Sequence, residues 1–249
     1  MQIVDENYNE IIAAGHYDTE TKLVIAGITY GEDKIYSASI SRSLFSGSTP
    51  TVGGCVSAQL DCVIEALSSD VPRMAKIEPY VRVKKVIDGE EKVSGWIRKG
   101  IFFADSREIN LKQGTVTIHA YDAMLAMEMQ YAATSALDDD DAVAYVISTM
   151  NSRLGAGTVS LDPETTLPYA YPIPVPDTPT SMRNVMGNIA AAYAGNWIIT
   201  DTGKLKLIKL NSLPPESYLL VDKSNQAITF GDASKGAEVI CLDISGVSL

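Results

Sequence analysis

The spacing of hydrophobic residues changes several times along the chain, and each change predicts a different kind of element. Residues 5–15 have a short helical pattern, which Asp5 can cap and Gly15 can end. Beyond it the hydrophobic period becomes two, and Gly27 and Gly31 divide the sequence into short strand-like pieces. The N-terminal part of the chain therefore predicts one helix followed by β structure.

The alternation is clearest in residues 56–65. Hydrophobic residues occupy the even positions of this segment, and polar residues occupy every odd position but Val63, which is typical of a half-buried strand. Residues 80–87 are rich in β-branched side chains, and the Asp88-Gly89 pair that follows is a strong hairpin signal.

Two further segments extend the β pattern. Residues 96–105 predict one strand, or two short strands broken at Gly100, and residues 114–120 predict another. Together with the earlier pieces, about six to eight strands joined by short turns precede residue 121, which is the pattern of a sandwich or a barrel.

Helical spacing returns at Asp122, which can cap a short helix rich in methionine. A longer helix is predicted over residues 139–154, with Gly155 just beyond its end. The loop at residues 162–179 holds six of the eleven prolines, so it can form neither a helix nor a central strand. We expect this loop to be extended, polyproline-like and on the surface.

A second long helix is predicted to begin after Thr178 as its cap, with Pro179 at its first position and Gly195 ending it. Its hydrophobic residues share one face at helical spacing: Met182, Val185, Met186, Ile189 and Tyr193. Residues 196–210 predict a hairpin that turns at Thr202-Gly203, and the last forty residues return to strand-like segments.

These patterns predict an α+β protein with three parts. Residues 1–130 form an antiparallel β-barrel domain, residues 131–212 form an inserted α/β domain, and residues 213–249 return to the barrel. The chain stops at Leu249 inside an apparent strand. That ending indicates a fragment of a longer protein, truncated at the C-terminus, although a docked terminal strand is an alternative.

The net charge of −11 and the isoelectric point near 4.6 argue against a protein that wraps nucleic acid, because such proteins need a basic surface for the phosphates. They are compatible with a wall past which DNA slides, since like charges repel. The three cysteines, Cys55, Cys62 and Cys241, include no CxxC pair, which indicates a reducing compartment. The sequence shows no signal peptide and no apolar run long enough to span a membrane.

Four consecutive aspartates, at residues 138–141, are the strongest local charge signal and raise the question of a metal site. A calcium loop places its ligands at alternating positions around a glycine, whereas these side chains point in different directions and no glycine follows. Acidic residues in a first helical turn complement the helix dipole, so we interpret the run as a helix start.

The remaining candidates for chemistry are few. His16 and His119 are the only histidines, and His119 shares a strand face with two threonines, so we interpret it as a polar surface residue although Tyr121 and Asp122 lie nearby. No nucleophile elbow, phosphate loop or zinc motif is present. We assign no catalytic, cofactor-binding or metal-binding residue. Tyr169 and Tyr171 either form a binding edge or pin the proline-rich loop to the core.

Residues 95–132 resemble the tail hub proteins of bacteriophages and prophages. In that family a strand of the type W-I-P-x-G-x-F-[FY]-I-D leads to a strand ending in T-I-x-[AG]-[YF]-D, whose last aspartate opens a helix that begins A-M-L. The matching residues are Trp96, Ile97, Gly100, Phe102, Phe103, Asp105, Thr117, Ile118, Ala120, Tyr121, Asp122, Met124 and Leu125. The segment departs from the family at Arg98, where proline is usual, and at Ala104, where an aliphatic residue is usual.

The resemblance implies a structural hub subunit in a phage or prophage tail, built from β-barrel domains with an α/β insertion. It implies a homotrimer beneath the tail tube, contacts with the tube and with distal tail proteins, and a central channel that passes DNA. We therefore expect no enzyme activity, no cofactor, no specific nucleic-acid binding and no membrane insertion. We also expect assembly in the bacterial cytoplasm before incorporation into the virion tail.

Two alternatives from other classes remain open. A tail-associated cell-wall hydrolase would need a catalytic set that the motifs do not supply. A carbohydrate- or receptor-binding module could use the aromatic residues of the proline-rich loop, residues 168–176.

Overall fold

The computed structural model describes residues 4–47, 49–210, 217–222, 227–232 and 240–243, the last three ranges for their backbone. Contacts divide the chain into two compact units, Met1–Ile208 and Lys209–Leu249. The predicted three-part division with boundaries near residues 130 and 212 stays a prediction.

The first unit begins with helix α1, Glu6–Ala13, which the Asp5 carboxylate caps by accepting a hydrogen bond from the backbone N–H of Tyr8 at 2.7 Å. This confirms the predicted helix. Nine strands follow: β1 (Asp18–Ile25), β2 (Ile28–Tyr30), β3 (Ile35–Ser41), β4 (Gln59–Glu65), β5 (Lys76–Ile87), β6 (Glu90–Val93), β7 (Ile97–Arg98), β8 (Phe102–Asn110) and β9 (Thr115–Asp122).

The nine strands form one antiparallel sheet in the order β2-β1-β5-β8-β9-β4-β3, and β6 and β7 also pair with β5. The mostly antiparallel sheet with few helices confirms the α+β class. No pairing joins its terminal strands β2 and β3 among the described residues, so the sheet is open there and a closed barrel is not found.

Strand burial follows the alternation in the sequence. In β4 the even positions Leu60, Cys62 and Ile64 are at most 2% exposed, while the odd positions lie towards solvent. Asp88 and Gly89 both have positive φ, at 52° and 85°, and form the tight turn between β5 and β6. Gly100, with φ of 134°, separates β7 from β8, so the version of the prediction with two short strands is the correct one.

The remaining elements of the first unit include the predicted helix α2, Asp139–Leu154. They also include helix α3, Met182–Ala192. Short strands accompany the helices: β10 (Leu137–Asp138), β11 (Ser160–Leu161), β12 (Pro172–Ile173), β13 (Gly195–Ile199) and β14 (Lys204–Lys209). β13 and β14 form the predicted hairpin, β11 runs parallel to β14, and β12 pairs with β10.

Helix α3 differs from its prediction at both ends. Its cap is Ser181, whose hydroxyl accepts a hydrogen bond from the N–H of Asn184 at 3.2 Å, and Thr178 and Pro179 lie outside it. Residues before the helix are extended because the Thr180 carbonyl accepts from the N–H of Tyr131 at 2.8 Å. Gly195 does not end the helix but opens β13, where an added Cβ would lie 2.7 Å from the Ile208 carbonyl.

The first unit has two hydrophobic cores. One lies within the large sheet and includes Leu60, Ile64, Phe102 and Ile118. The second is built by α2, α3, β13 and β14 around the fully buried Trp197, and all five hydrophobic residues predicted on one face of α3 are buried in it. Among the described residues, no helix combines the length and the apolarity needed to cross a membrane.

The second unit contains strands β15 (Ser217–Asp222), β16 (Ala227–Asp232) and β17 (Ile240–Asp243). They pair antiparallel in sequence order, which agrees with the strand-like pattern predicted for the last forty residues. The predicted return of residues 213–249 to the barrel stays a prediction. Residues 244–249, on which the expectation of a truncated strand depends, lie outside the described residues.

Candidate functional site

The segment that carries the family resemblance forms the connection between the two cores. Adjacent side chains Phe102 and Phe103 are both at most 2% exposed, yet Phe102 belongs to the sheet core and Phe103 to the second core. Across the ladder they pair with Asp122 and Tyr121 on β9. Because strand side chains alternate, one ring lies in each core. The two strand motifs of residues 95–132 therefore pair with each other on β8 and β9, and we call this segment the cross-strand unit.

Asp122 lies where the chain leaves β9, and its side chain is buried with the residue 4% exposed. Its carboxylate accepts hydrogen bonds from the N–H of Ala58 at 2.9 Å and from the N–H of Met124 at 3.0 Å. The second bond is the helix cap predicted from the sequence, since Met124 is in the 3-10 helix Ala123–Glu128. The first bond joins the cap to a segment more than sixty residues away, which no local pattern indicates.

Burial raises the pKa of Asp122 to about 6. The two backbone N–H donors and the guanidinium groups of Arg183 and Arg42 act in the opposite direction, towards the charged form, but do not offset the loss of water. The carboxyl group therefore titrates close to neutral pH.

Arg183 on α3 also binds the segment before β4 and the 3-10 helix that follows Asp122. Its guanidinium donates to the Met124 carbonyl at 2.9 Å, to the Ser57 hydroxyl at 3.0 Å and to the Cys55 carbonyl, and it forms an ion pair with Glu128. A guanidinium has five N–H donors in a fixed plane, which suits it to holding several segments at once. No local sequence pattern indicates this role, because the acceptors come from two stretches, residues 55–57 and 124–128, that are far from Arg183 in sequence.

The aspartate run is a helix start, as predicted, with α2 beginning at Asp139. The four aspartates differ in burial and in hydrogen bonding, however. Asp139 is 1% exposed, and its carboxylate accepts a hydrogen bond from the Tyr193 hydroxyl, while Asp138 makes no side-chain capping bond. Asp139 is thus a buried hydrogen-bond acceptor in the second core. The sequence of four consecutive aspartates does not show which of them is buried.

The tyrosines of the proline-rich loop contact the ring of Tyr193. The Tyr193 hydroxyl oxygen also accepts a hydrogen bond from the N–H of Tyr169 at 3.2 Å, and the Tyr169 ring stacks on the Tyr193 ring with centroids 6.1 Å apart. This supports the interpretation that the loop is pinned to the core. The rings remain accessible nevertheless, because Tyr169 is 59% exposed and Tyr171 is 40% exposed.

The histidines and cysteines occupy ordinary surroundings. His119 is on the outer face of β9, where its Nδ1 lies 2.6 Å from Asp61 Oδ1, and His16 is exposed after α1. Hydrogen bonds from Gln59 and His119 lower the pKa of Asp61. Cys55 and Cys62 are free thiols, and burial raises the pKa of each to about 12. The side chain of Cys241 lies outside the described residues.

No three His, Cys, Asp or Glu side chains come together in a group that could hold a metal ion, within the part of the chain whose side chains are described. The aspartates at residues 138–141 therefore form no such group.

One edge of the large sheet is uncovered on both of its faces. β3 pairs with β4 alone, and residues 36–41 are all exposed. Tyr36, at a register shift in the pairing with β4, is 65% exposed, and Ile40 on the same strand is 37% exposed. A sheet edge with exposed hydrophobic residues is a template for pairing with another chain.

Comparison with known proteins gave structural similarity only, since no protein-family model and no curated protein matches the chain. The 43 kDa tail protein of prophage MuSo2 from Shewanella oneidensis is 15% identical with a TM-score of 0.48, and the match covers 82% of this chain and 59% of that one. The tail protein from Neisseria meningitidis MC58 is 11% identical with a TM-score of 0.48, and the match covers 80% of this chain and 53% of that one.

Both are tail proteins, the class that the residues 95–132 resemble. The matched region spans less than two thirds of either protein. At these identities and TM-scores the similarity transfers neither function nor partners to this chain.

The raised pKa of Asp122 predicts an unusual pH dependence of stability. The folded state binds this proton more tightly than the unfolded state, so its contribution is fully present below about pH 4 and is lost as pH rises through about 6. The unfolding free energy of the wild type minus that of Asp122→Asn should fall by roughly 1–3 kcal/mol between pH 4 and pH 7. Urea unfolding across that range measures the difference.

Asp141→Asn is the matched control, because it removes one carboxylate from an exposed position. Its curve should run parallel to that of the wild type. Parallel curves for Asp122→Asn and the wild type would contradict the assignment of this titration to Asp122.

Tyr193→Phe should lower the unfolding free energy by roughly 1–3 kcal/mol, because it leaves the buried Asp139 carboxylate without its hydroxyl donor. Tyr171→Phe removes a hydroxyl from an exposed ring of the same cluster and should change it little. Urea midpoints at pH 7 compare the two variants. Equal midpoints would show that the Asp139–Tyr193 bond does not stabilise the fold.

Proposed function

We propose that this protein is a structural subunit of a phage or prophage tail hub, joining the tail tube to distal tail proteins. The observation that carries the proposal is the strand β3, whose residues 36–41 are exposed on both faces although they belong to a nine-stranded sheet. An edge of this kind is expected where subunits join, because backbone N–H and C=O groups there can pair with a second chain.

The cross-strand unit at residues 95–132 supports the same function. It is the segment that resembles the tail hub family, and it ties both cores of the first unit through Phe102, Phe103 and Asp122. A structural subunit that bears load between a tube and a tip needs such a rigid connection. Its residues are used in packing and capping, which favours a structural role over a catalytic one.

The finer features of the proposal extend the resemblance. In the assembled hub the open sheet would be completed into a tube-like barrel, and three subunits would surround a channel for DNA. The net charge of −11 supports a wall that repels the phosphates of passing DNA. Assembly in the bacterial cytoplasm is compatible with the free thiols of Cys55 and Cys62.

The oligomeric state tests the role of β3. The wild-type chain at high concentration should form a trimer by native mass spectrometry and light scattering, and ring-like particles should be visible by electron microscopy. Tyr36→Lys combined with Ile40→Lys should shift the protein to monomer, because cations on this edge strand would repel the neighbouring subunit's copy of it.

Leu67→Lys is the matched control, because it places a cation at a 70% exposed hydrophobic residue that is not on β3. It should leave the trimer intact. A wild-type chain that stays monomeric at every concentration, or a trimer that survives both β3 substitutions, would contradict the proposed use of this edge.

A further inference from the structure

The first unit contains a groove of about 1000 Å³. One wall comes from Tyr80 on β5, Arg98 on β7 and Trp96 just before β7. The opposite wall comes from the β13–β14 hairpin, with Asp201 and Lys206. The volume lies at the upper end of the range for small-ligand sites. An extended ligand of several units would therefore fit it better than a single small molecule.

The aromatic wall is held in a fixed position. Lys22 on β1 and Arg82 on β5 lie on the same face of the sheet, and Trp96 lies across both, with Lys22 Nζ 4.3 Å and Arg82 Cζ 4.5 Å from its ring centroid. Tyr80 stands beside it, with its centroid 5.1 Å from the same lysine nitrogen. Cation–π contacts of this length restrain the indole, so its orientation is set before any ligand arrives.

Three basic side chains that line the groove are paired with carboxylates. Arg42 forms an ion pair with Asp201, Lys206 pairs with Glu164, and Arg98 Nη1 lies 2.8 Å from Glu78 Oε1. A ligand with a net charge would have to displace one member of such a pair. A neutral ligand with hydroxyl groups would not, because each hydroxyl can donate to a carboxylate and accept from a guanidinium or ammonium group.

Aromatic faces and paired charges together select one ligand chemistry. A sugar ring has an apolar face of C–H groups, which stacks on an indole, and an edge of hydroxyl groups, which bridges donors and acceptors. An extended peptide offers such polar groups less densely along its length. Aromatic rings on one wall and paired charges around the groove together fit a chain of sugar rings.

We propose that this groove is a binding site for a neutral oligosaccharide, with Trp96 and Tyr80 stacking on sugar rings and the Arg42–Asp201 and Lys206–Glu164 pairs bonding their hydroxyls. The site is separate from the exposed rings of Tyr169 and Tyr171 in the proline-rich loop, which do not line the groove. It is independent of the proposed role of β3, so either proposal can fail alone.

Intrinsic fluorescence reports on the site directly, because the chain has two tryptophans. Trp96 is half-buried and lines the groove, whereas Trp197 is 1% exposed in the second core. The full chain would be screened against an array of neutral oligosaccharides and then titrated with maltotetraose, cellotetraose and chitotetraose. At least one tetrasaccharide should change the emission saturably, and calorimetry should give the same dissociation constant.

Trp96→Ala should weaken this binding by more than about tenfold. Glu164→Gln on the opposite wall, where the carboxylate side chain is 72% exposed, removes one acceptor without disturbing the fold and should weaken it by about fivefold. Tyr169→Ala combined with Tyr171→Ala is the control and should bind as the wild type does.

Three results would overturn the proposal. The first is absence of binding to every neutral oligosaccharide at millimolar concentration, by both calorimetry and saturation-transfer NMR. The second is binding that survives Trp96→Ala and Glu164→Gln. The third is binding lost in the tyrosine control instead, which would place the sugar on the loop.

Discussion

The fold depends on one buried carboxylate that serves as acceptor for two distant backbone segments. Asp122 accepts from Ala58, before β4, and from Met124, at the start of the 3-10 helix that leads into the second core. A buried carboxylate is costly unless its oxygens are hydrogen-bonded, so the position constrains both segments at once. The sheet can continue into the second core only where these two N–H groups converge.

The surrounding residues extend this constraint to the rest of the first unit. Arg183 brings α3 onto the same segments through Cys55, Ser57 and Met124, and the side chains of Phe102 and Phe103 enter opposite cores from adjacent positions. Close-packed interiors transmit displacement because they have few voids. The sheet and the helices of the first unit are therefore coupled through a short, well-bonded path.

Local chemistry made part of this architecture predictable. Strand alternation indicated which residues of β4 are buried, and Asp88-Gly89 marked the hairpin of β5 and β6. The capping role of Asp122 followed from its position before a helical pattern. Each of these features is decided by residues within a few positions of one another. The same holds for the start of α2 at Asp139.

Features decided by distant residues could not be predicted. The start of α3 moved from Thr178 to Ser181 because residues near 130 pair with the preceding segment. The burial of Asp139 depends on Tyr193, fifty-four positions away. The closure predicted for the barrel required the two end strands, β2 and β3, to pair with each other, and alternation alone does not say which strands lie at the edges. The groove at Trp96 likewise joins a hairpin and a sheet that no periodicity relates.

Hydrogen exchange at single-residue resolution tests the central role of the Asp122 connection most directly. The amides of Ala58 and Met124, its two donors, should open with the same free energy in the full chain. Arg183→Lys, which keeps the charge but loses the planar set of donors, should lower the protection of both amides together. Independent exchange of the two amides, or a loss confined to Met124, would contradict the account.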